Sequence, residues 1–301
     1  MTIFGWDMSD FDYDRGARPA HIQNAKNEGI KFLTHKSTEQ SSGNVFKHTR
    51  MGLQLNAAKA VGIPFIGHYI VVRSNVPPAT QVTTCLAFLD QQVPWWRTYP
   101  GWFHQVDLEK WPYDAVSPIL GEAVAAELER RTGKKAILYA SRGQYGNSIP
   151  NTGRVLWNAN YGNNPAAHFK PLYPGDTGAG WVTYSGRMPR IWQYGSRAII
   201  GGQSTCDANA FRGTEADFAT MIGGSAAPSQ PLPPKEASNV DHAERVDYVL
   251  EKGKRPEPNQ TMAGGIPINW LVRQFYELNL KLDKVNAKLE AIEALLKPPV
   301  V

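Results

Sequence analysis

Between residues 3 and 194 the chain alternates short apolar runs with amphipathic stretches. Few architectures tolerate that rhythm, because strands separated by helices lie parallel in one sheet with the helices packed outside it. Strands are expected at 3–7, 31–35, 64–72, 101–107 and 136–140. Helices are expected at 19–28, with Pro19 in the first turn, at 48–61 ahead of Gly62, around 80–92, and at 114–131 ahead of Gly133. The last shows Val116, Ile119, Leu120, Val124 and Leu128 at helical spacing. Past residue 141 the helical pattern weakens, and 155–158, 181–184 and 190–194 read as strands between loops rich in Gly, Pro and Asn. Eight strands in this order predict an α/β chain closed into an irregular TIM-like β/α barrel, with weakened helices around its last strands.

Residues 105–112 read Gln-Val-Asp-Leu-Glu-Lys-Trp-Pro. Asp107 and Glu109 end the fourth strand two residues apart, so they share a face and aim at one volume, roughly 7 Å apart along the backbone. Two like charges so placed push one pKa up, so that one group donates a proton while the other stays ionised. That is the equipment for breaking a glycosidic bond. A solvated strand end reads the same way, so the rest of the chain must decide. In parallel barrels the active residues gather at the C-terminal strand ends, where Asp7 and this pair both fall.

The 301 residues hold one large domain and an appendage. Cys85 and Cys206 make no disulfide framework and no zinc spacing, and small buried residues are expected there. The histidines show no metal-ligand spacing either, so neither metal nor cofactor is expected. Residues 1–224 carry 22 Lys and Arg against 17 Asp and Glu, whereas 225–301 carry 10 of each. A basic front domain is drawn to an anionic surface such as a bacterial wall. Its basic residues are dispersed, with no basic helix or finger motif, so nucleic acid is not an expected partner. The start of the chain lacks the basic and apolar regions of a secretory signal, and no run of 18 apolar residues exists to span a membrane.

After the barrel, expected to cover 1–222, residues 223–238 form a linker rich in Pro, Ser and Gly. A short helix and a loop are expected over 239–267. Residues 268–297 then carry Leu271, Phe275, Leu278, Leu282, Val285, Leu289, Ile292 and Leu296 at alternating spacings of four and three. This seam, with charged flanks, predicts a coiled coil through which the chain associates with its own copies.

Several blocks, in order, resemble glycoside hydrolase family 25, the N-acetylmuramidase lysozymes, over about residues 3–218. Gly5-Trp6-Asp7-Met8-Ser9 is similar to the family's opening Gly-x-Asp-x-Ser, and Lys36-Ser37-Thr38-Glu39 to its Lys-x-Thr-Glu segment. Gly67-His68-Tyr69, Asp107-Leu108-Glu109, Leu138-Tyr139-Ala140-Ser141 and Leu156-Trp157-Asn158-Ala159 follow in the family's order. Ile191-Trp192-Gln193-Tyr194 and Asp207-Ala208-Asn209-Ala210-Phe211 close it. The third strand departs from the family: Tyr69 runs on into Ile70, Val71 and Val72, and the histidine precedes the tyrosine.

The resemblance implies cleavage of the β-1,4 bond between N-acetylmuramic acid and N-acetylglucosamine in peptidoglycan. Glu109 would be the general acid. Asp107 would stabilise the oxocarbenium-like centre or orient the 2-acetamido group for attack on C1. Asp7 would complete an acidic floor, and Asp207, in a loop, would line the cleft. Tyr69, Tyr139, Trp157 and Trp192 fall near strand ends, where aromatic faces stack on sugar rings, and Glu39 would hold the cleft by hydrogen bonds. The missing signal, the linker and the multimerising tail together imply a bacteriophage protein. It would reside in the virion tail beside other tail proteins, or in the host cytoplasm until a holin releases it as an endolysin. A barrel kept only for glycan binding is the competing reading.

Overall fold

The computed structural model describes residues 1–223. Eight strands close on themselves: β1 (Thr2–Met8), β2 (Ile30–Ser41), β3 (Phe65–Val71), β4 (Trp102–Leu108), β5 (Ala136–Ala140), β6 (Leu156–Ala159), β7 (Ile191–Ile200) and β8 (Gln203–Arg212). Strands β1 to β7 pair in parallel in chain order. Strand β8 runs antiparallel between β7 and β1 and so closes the barrel.

Helices α1 (Asp10–Asp14), α2 (Pro19–Glu28), α3 (Met51–Ala60), α4 (Pro78–Gln92) and α5 (Pro118–Thr132) cover the first half. Local chemistry sets their ends. In α5, Pro118 needs no donor in the first turn, the Ser117 side chain accepts from the Ile119 N–H, and Gly133 takes the left-handed φ of 68° that ends it. Between β5 and β8 the α-helices shrink to single turns, at Arg142–Tyr145 and Phe169–Leu172. The weakened second half is as the residues predict.

Three local expectations are corrected. The helix expected from 114 starts at Pro118, because Asp114–Ala115 pairs with Lys110–Trp111 in a small hairpin and Asp114 accepts from the Ser74 hydroxyl at 2.5 Å. No strand forms at 181–184. A 3-10 turn, Ala179–Trp181, lies there, and a side chain at Gly178 or Gly180 would overlap the Trp192 ring. The eighth strand is instead β8, joined to β7 by Gly201 and Gly202, whose φ values of 60° and 87° suit a two-residue hairpin turn. Asp207 therefore lies in a strand, not in a loop.

The barrel interior is layered, and the period of two explains how. Ile3, Phe32, Phe65, Phe103, Trp157 and Phe211 form an apolar floor closed by Phe218 of the helix Glu215–Met221. One step of two residues up each strand lie Gly5, Thr34, Gly67, Gln105, Gln193 and Asn209. Another step up lie Asp7, Lys36, Tyr69, Asp107 and Asp207. The middle layer is polar and internally bonded: Thr34 Oγ1 donates to Gln105 Oε1 at 2.9 Å. The glycines in it make room, since a Cβ on Gly67 would come within 2.7 Å of the Phe103 carbonyl oxygen.

Outward-facing residues of the strands pack under the helices in the larger core. That core holds a polar thread, in which Ser37 Oγ meets His68 Nδ1 at 2.9 Å and His68 Nε2 meets His104 Nδ1 at 2.6 Å. Burial pushes the His68 imidazole down to about 3, so it is neutral. Cys85 and Cys206 are buried free thiols. Among the described residues no helix is long and apolar enough to cross a membrane. Apart from Gly223, the expected linker (223–238), the short helix and loop (239–267) and the coiled coil (268–297) lie outside the described residues.

Candidate active site

A cleft of about 500 Å³ opens at the C-terminal mouth of the barrel. Asp107 and Glu109 reach it from the end of β4, Asp207 from β8, and Tyr69 from β3. Asp7 sits just beneath, paired in register with Asp207 and only 4% exposed. Residues paired directly across antiparallel strands present their side chains on one face. Asp107, Glu109 and Asp207 thus line one cleft together with Asp12, and Asp7 lies beneath Asp207.

The Asp7 carboxylate is held from below. Its Oδ2 accepts from Gln193 Nε2 at 2.9 Å and from Asn209 Nδ2 at 2.7 Å. Gln193 Oε1 in turn accepts from the Tyr139 hydroxyl at 2.9 Å and the Tyr161 hydroxyl at 2.6 Å. Asn209 Oδ1 accepts from Trp157 Nε1 at 2.9 Å. Both donors to Asp7 thus have a second partner that fixes their orientation, which is what a preorganised charged site requires.

Burial dominates the electrostatics. It pushes Asp7 up to about 7, against the lowering effect of the Gln193 and Asn209 hydrogen bonds. Asp207 is raised well above the carboxylate range by burial and by Asp7. Asp107 is also raised strongly, by burial and then by Glu109, and its Oδ1 has no hydrogen bond among the described residues. Glu109 is raised by burial, while Lys36 and Arg73 oppose the rise. The stronger upward push falls on Asp107, the deeper member, and the nearby cations favour the ionised form of Glu109.

Glu39 sits beside the cleft in an ion-paired cluster. Lys36 Nζ donates to its Oε2 at 2.7 Å and Arg73 Nε to its Oε1 at 2.8 Å. Burial pushes Glu39 up, but the two cations outweigh it and hold the carboxyl below its usual range. Arg73 also donates to the Tyr113 hydroxyl at 3.1 Å and lies over the rings of Trp111 and Tyr113. Those two rings stack at 6.2 Å, nearly parallel, on the small hairpin after Glu109, and Trp111 lines the cleft.

The aromatic expectations divide. Tyr69 lines the cleft. Trp157 does not: it is fully buried in the apolar floor and reaches the site only through Asn209. Tyr139 is 7% exposed and likewise acts from beneath, on Gln193. Trp192 points out of the barrel, because its neighbour Gln193 points in. It lines a separate, mostly apolar pocket of about 380 Å³ with Tyr161 and Tyr173. Trp111, Tyr161, Gln193, Asn209, Lys36 and Arg73 received no site role from the sequence. The inward period of two through Asp207, Asn209 and Phe211 marks Asn209, and the two-residue step from Glu109 marks Trp111. Nothing local marks Arg73. Among the described residues no group of three His, Cys, Asp or Glu side chains is placed to hold a metal.

No protein-family description matches the chain, and no curated protein matches it in sequence. Solved structures do match. A bacterial lysozyme from Streptomyces coelicolor is similar at 20% identity, covering 73% of this chain and 96% of its own, with a TM-score of 0.54. A family 25 glycosyl hydrolase from Bacillus anthracis matches at 19% identity, 72% and 92% coverage and a TM-score of 0.53. The catalytic domain of an endolysin from a bacteriophage of Listeria monocytogenes matches at 16% identity, 75% and 98% coverage and a TM-score of 0.52. The likeness is one of fold. At these identities it establishes the α/β barrel and leaves chemistry to be argued from the residues.

Proposed function

We propose that the chain is a glycoside hydrolase that cleaves the β-1,4 bond between N-acetylmuramic acid and N-acetylglucosamine in peptidoglycan. The observation that carries this reading is the convergence of Asp107, Glu109 and Asp207 on one cleft at the barrel mouth, with Asp7 beneath Asp207. A cluster of buried carboxyls is costly to hold and suits proton transfer. The fold shared with a lysozyme, a family 25 hydrolase and a phage endolysin domain supports the same bond.

Glu109, the less buried member of its pair, protonates the glycosidic oxygen as the bond to C1 breaks. Positive charge then develops at C1. It favours the ionised form of Asp107, and water adding to C1 restores the proton to Glu109 and completes the hydrolysis. Asp107 meets that charge directly or through the 2-acetamido group, and Asp7 and Asp207 complete the negative surround. Tyr69 and Trp111 supply aromatic faces to the sugar rings. We assign the protein to a bacteriophage, as a virion-associated lysin or an endolysin that self-associates through the 268–297 seam.

Purified peptidoglycan incubated with the full-length protein tests this, with released fragments read by mass spectrometry. New N-acetylmuramic acid reducing ends are expected, and Glu109→Gln should lower their rate at least about a hundredfold. Wall that stays intact while the protein sediments with it would favour the glycan-binding reading.

A further inference from the structure

The cleft is not acidic all round. Strands β7 and β8 stand across the barrel from β4, and on their side Arg15, at the end of α1, and Arg197, on β7, line the same volume. Both side chains are exposed. The salt-bridged arginines of the described residues are Arg73, Arg97, Arg130, Arg131, Arg154 and Arg187. Arg15 and Arg197 are not among them, although Arg15 is close enough to oppose the upward push on Asp207.

Their backbones are held. Gln203 Nε2 donates to the Arg15 carbonyl at 3.4 Å. The β7–β8 register shifts between Gly195 and Ala198, an irregularity of the kind that re-aims a side chain beside a site. Asn164 pins it, its Oδ1 accepting from the Ser196 N–H at 3.1 Å and its Nδ2 donating to Ser196 Oγ at 2.9 Å. On β8 beside Cys206, the partner of Ala198, Thr205 also lines the cleft and takes a φ of 61°. That is the left-handed region, costly for a β-branched residue and held only where the surroundings impose it.

Two guanidinium groups in no salt bridge among the described residues, on a built wall of a substrate cleft, fit an anion that arrives with the ligand. Guanidinium pairs with carboxylate through two parallel hydrogen bonds, a geometry an uncharged sugar ring does not offer. We propose that Arg15 and Arg197 form a carboxylate-binding subsite for the acidic substituent carried by the muramoyl ring, so that the cleft selects glycans bearing such a group. This rests on the muramidase reading. The carboxylate has two sources, the lactyl group of a bare glycan and the peptide attached to it.

Three forms of one glycan separate them: strands with peptides, strands stripped of peptides with free lactyl carboxylates, and stripped strands whose carboxylates are methyl amides. The wild type should show a KM about five- to tenfold higher on the amide form than on a carboxylate form. Arg15→Gln with Arg197→Gln should raise KM by a similar factor on the carboxylate forms and change nothing on the amide form. A response confined to the peptide-bearing strands assigns the peptide carboxylates, and one on the stripped strands assigns the lactyl group. A double variant that keeps the wild-type KM on both carboxylate forms, or loses equally on the amide form, overturns the subsite. If the wild type cleaves none of the three, calorimetric titration decides separately. Tighter binding of carboxylate forms, abolished by the two substitutions, would sustain the subsite while the muramidase reading fails. Equal binding of all three forms would end both.

Discussion

Asp7 and Asp207 face each other across the antiparallel β1–β8 pair that closes the barrel. Two carboxyls held together out of water retain protons that either would lose in the unfolded chain. An unfolded aspartate ionises near 4, whereas Asp7 in the fold is pushed up to about 7. Between those limits the folded chain binds more protons than the unfolded one. Stability from this group is therefore greatest at low pH and falls as pH rises, by up to about 1.4 kcal/mol per pH unit. Asp207→Asn removes one of the raised acids. The variant should gain stability over the wild type as pH rises above about 4, where an unfolded aspartate ionises, read by urea unfolding. The buried histidines act in the opposite sense, so the quantity to follow is the difference between the two proteins. A constant difference across that range would contradict the geometry.

Lys36 should set the alkaline limit of activity. Its charge opposes the upward push on both Asp107 and Glu109. Removing a cation raises a neighbouring carboxyl pKa. Lys36→Met should therefore move the alkaline limb of the kcat/KM profile upward by roughly half a pH unit or more. A limb that stays put or moves down would show that Lys36 does not act on the proton donor.

Asn209 is the joint between the apolar floor and the acids. Asn209→Leu leaves Trp157 Nε1 without its acceptor and Asp7 with one donor fewer. Stranding a buried donor costs about 1–3 kcal/mol, so the midpoint of thermal unfolding should drop. Asp7 should also titrate higher than in the wild type, which carboxyl chemical shifts would follow. Unchanged stability would mean the cradle is not what holds Asp7.

Two tryptophans should behave oppositely. Trp111 lines the cleft, so Trp111→Ala should raise KM about tenfold with stability kept to within about 1 kcal/mol. Trp157 is fully buried, so Trp157→Ala should lose about 3–5 kcal/mol. Calorimetric unfolding with kinetics on the same preparations compares them. A stable Trp157→Ala with a weakened KM would restore that ring to the substrate.

The residue order alone determined a great deal here. Alternating periods of two and near four dictate strands, helices and a parallel sheet, because side-chain direction follows covalently from backbone geometry. They also place Asp107 and Glu109 together, since a spacing of two needs no tertiary information. What the tertiary structure alone decided was the closure. β8 runs back antiparallel along β1, some two hundred residues away in the chain, and that pairing carries Asp207 to Asp7. The Gly201-Gly202 step was a readable hairpin signal, but its partner across the barrel was not. Tertiary packing likewise chose among the aromatics. Trp157, Trp192 and Trp111 all lie near strand ends, and only their depth and direction put the first in the floor, the second outside the wall and the third in the cleft. Depth is a property of how distant segments stack, and no local pattern encodes it.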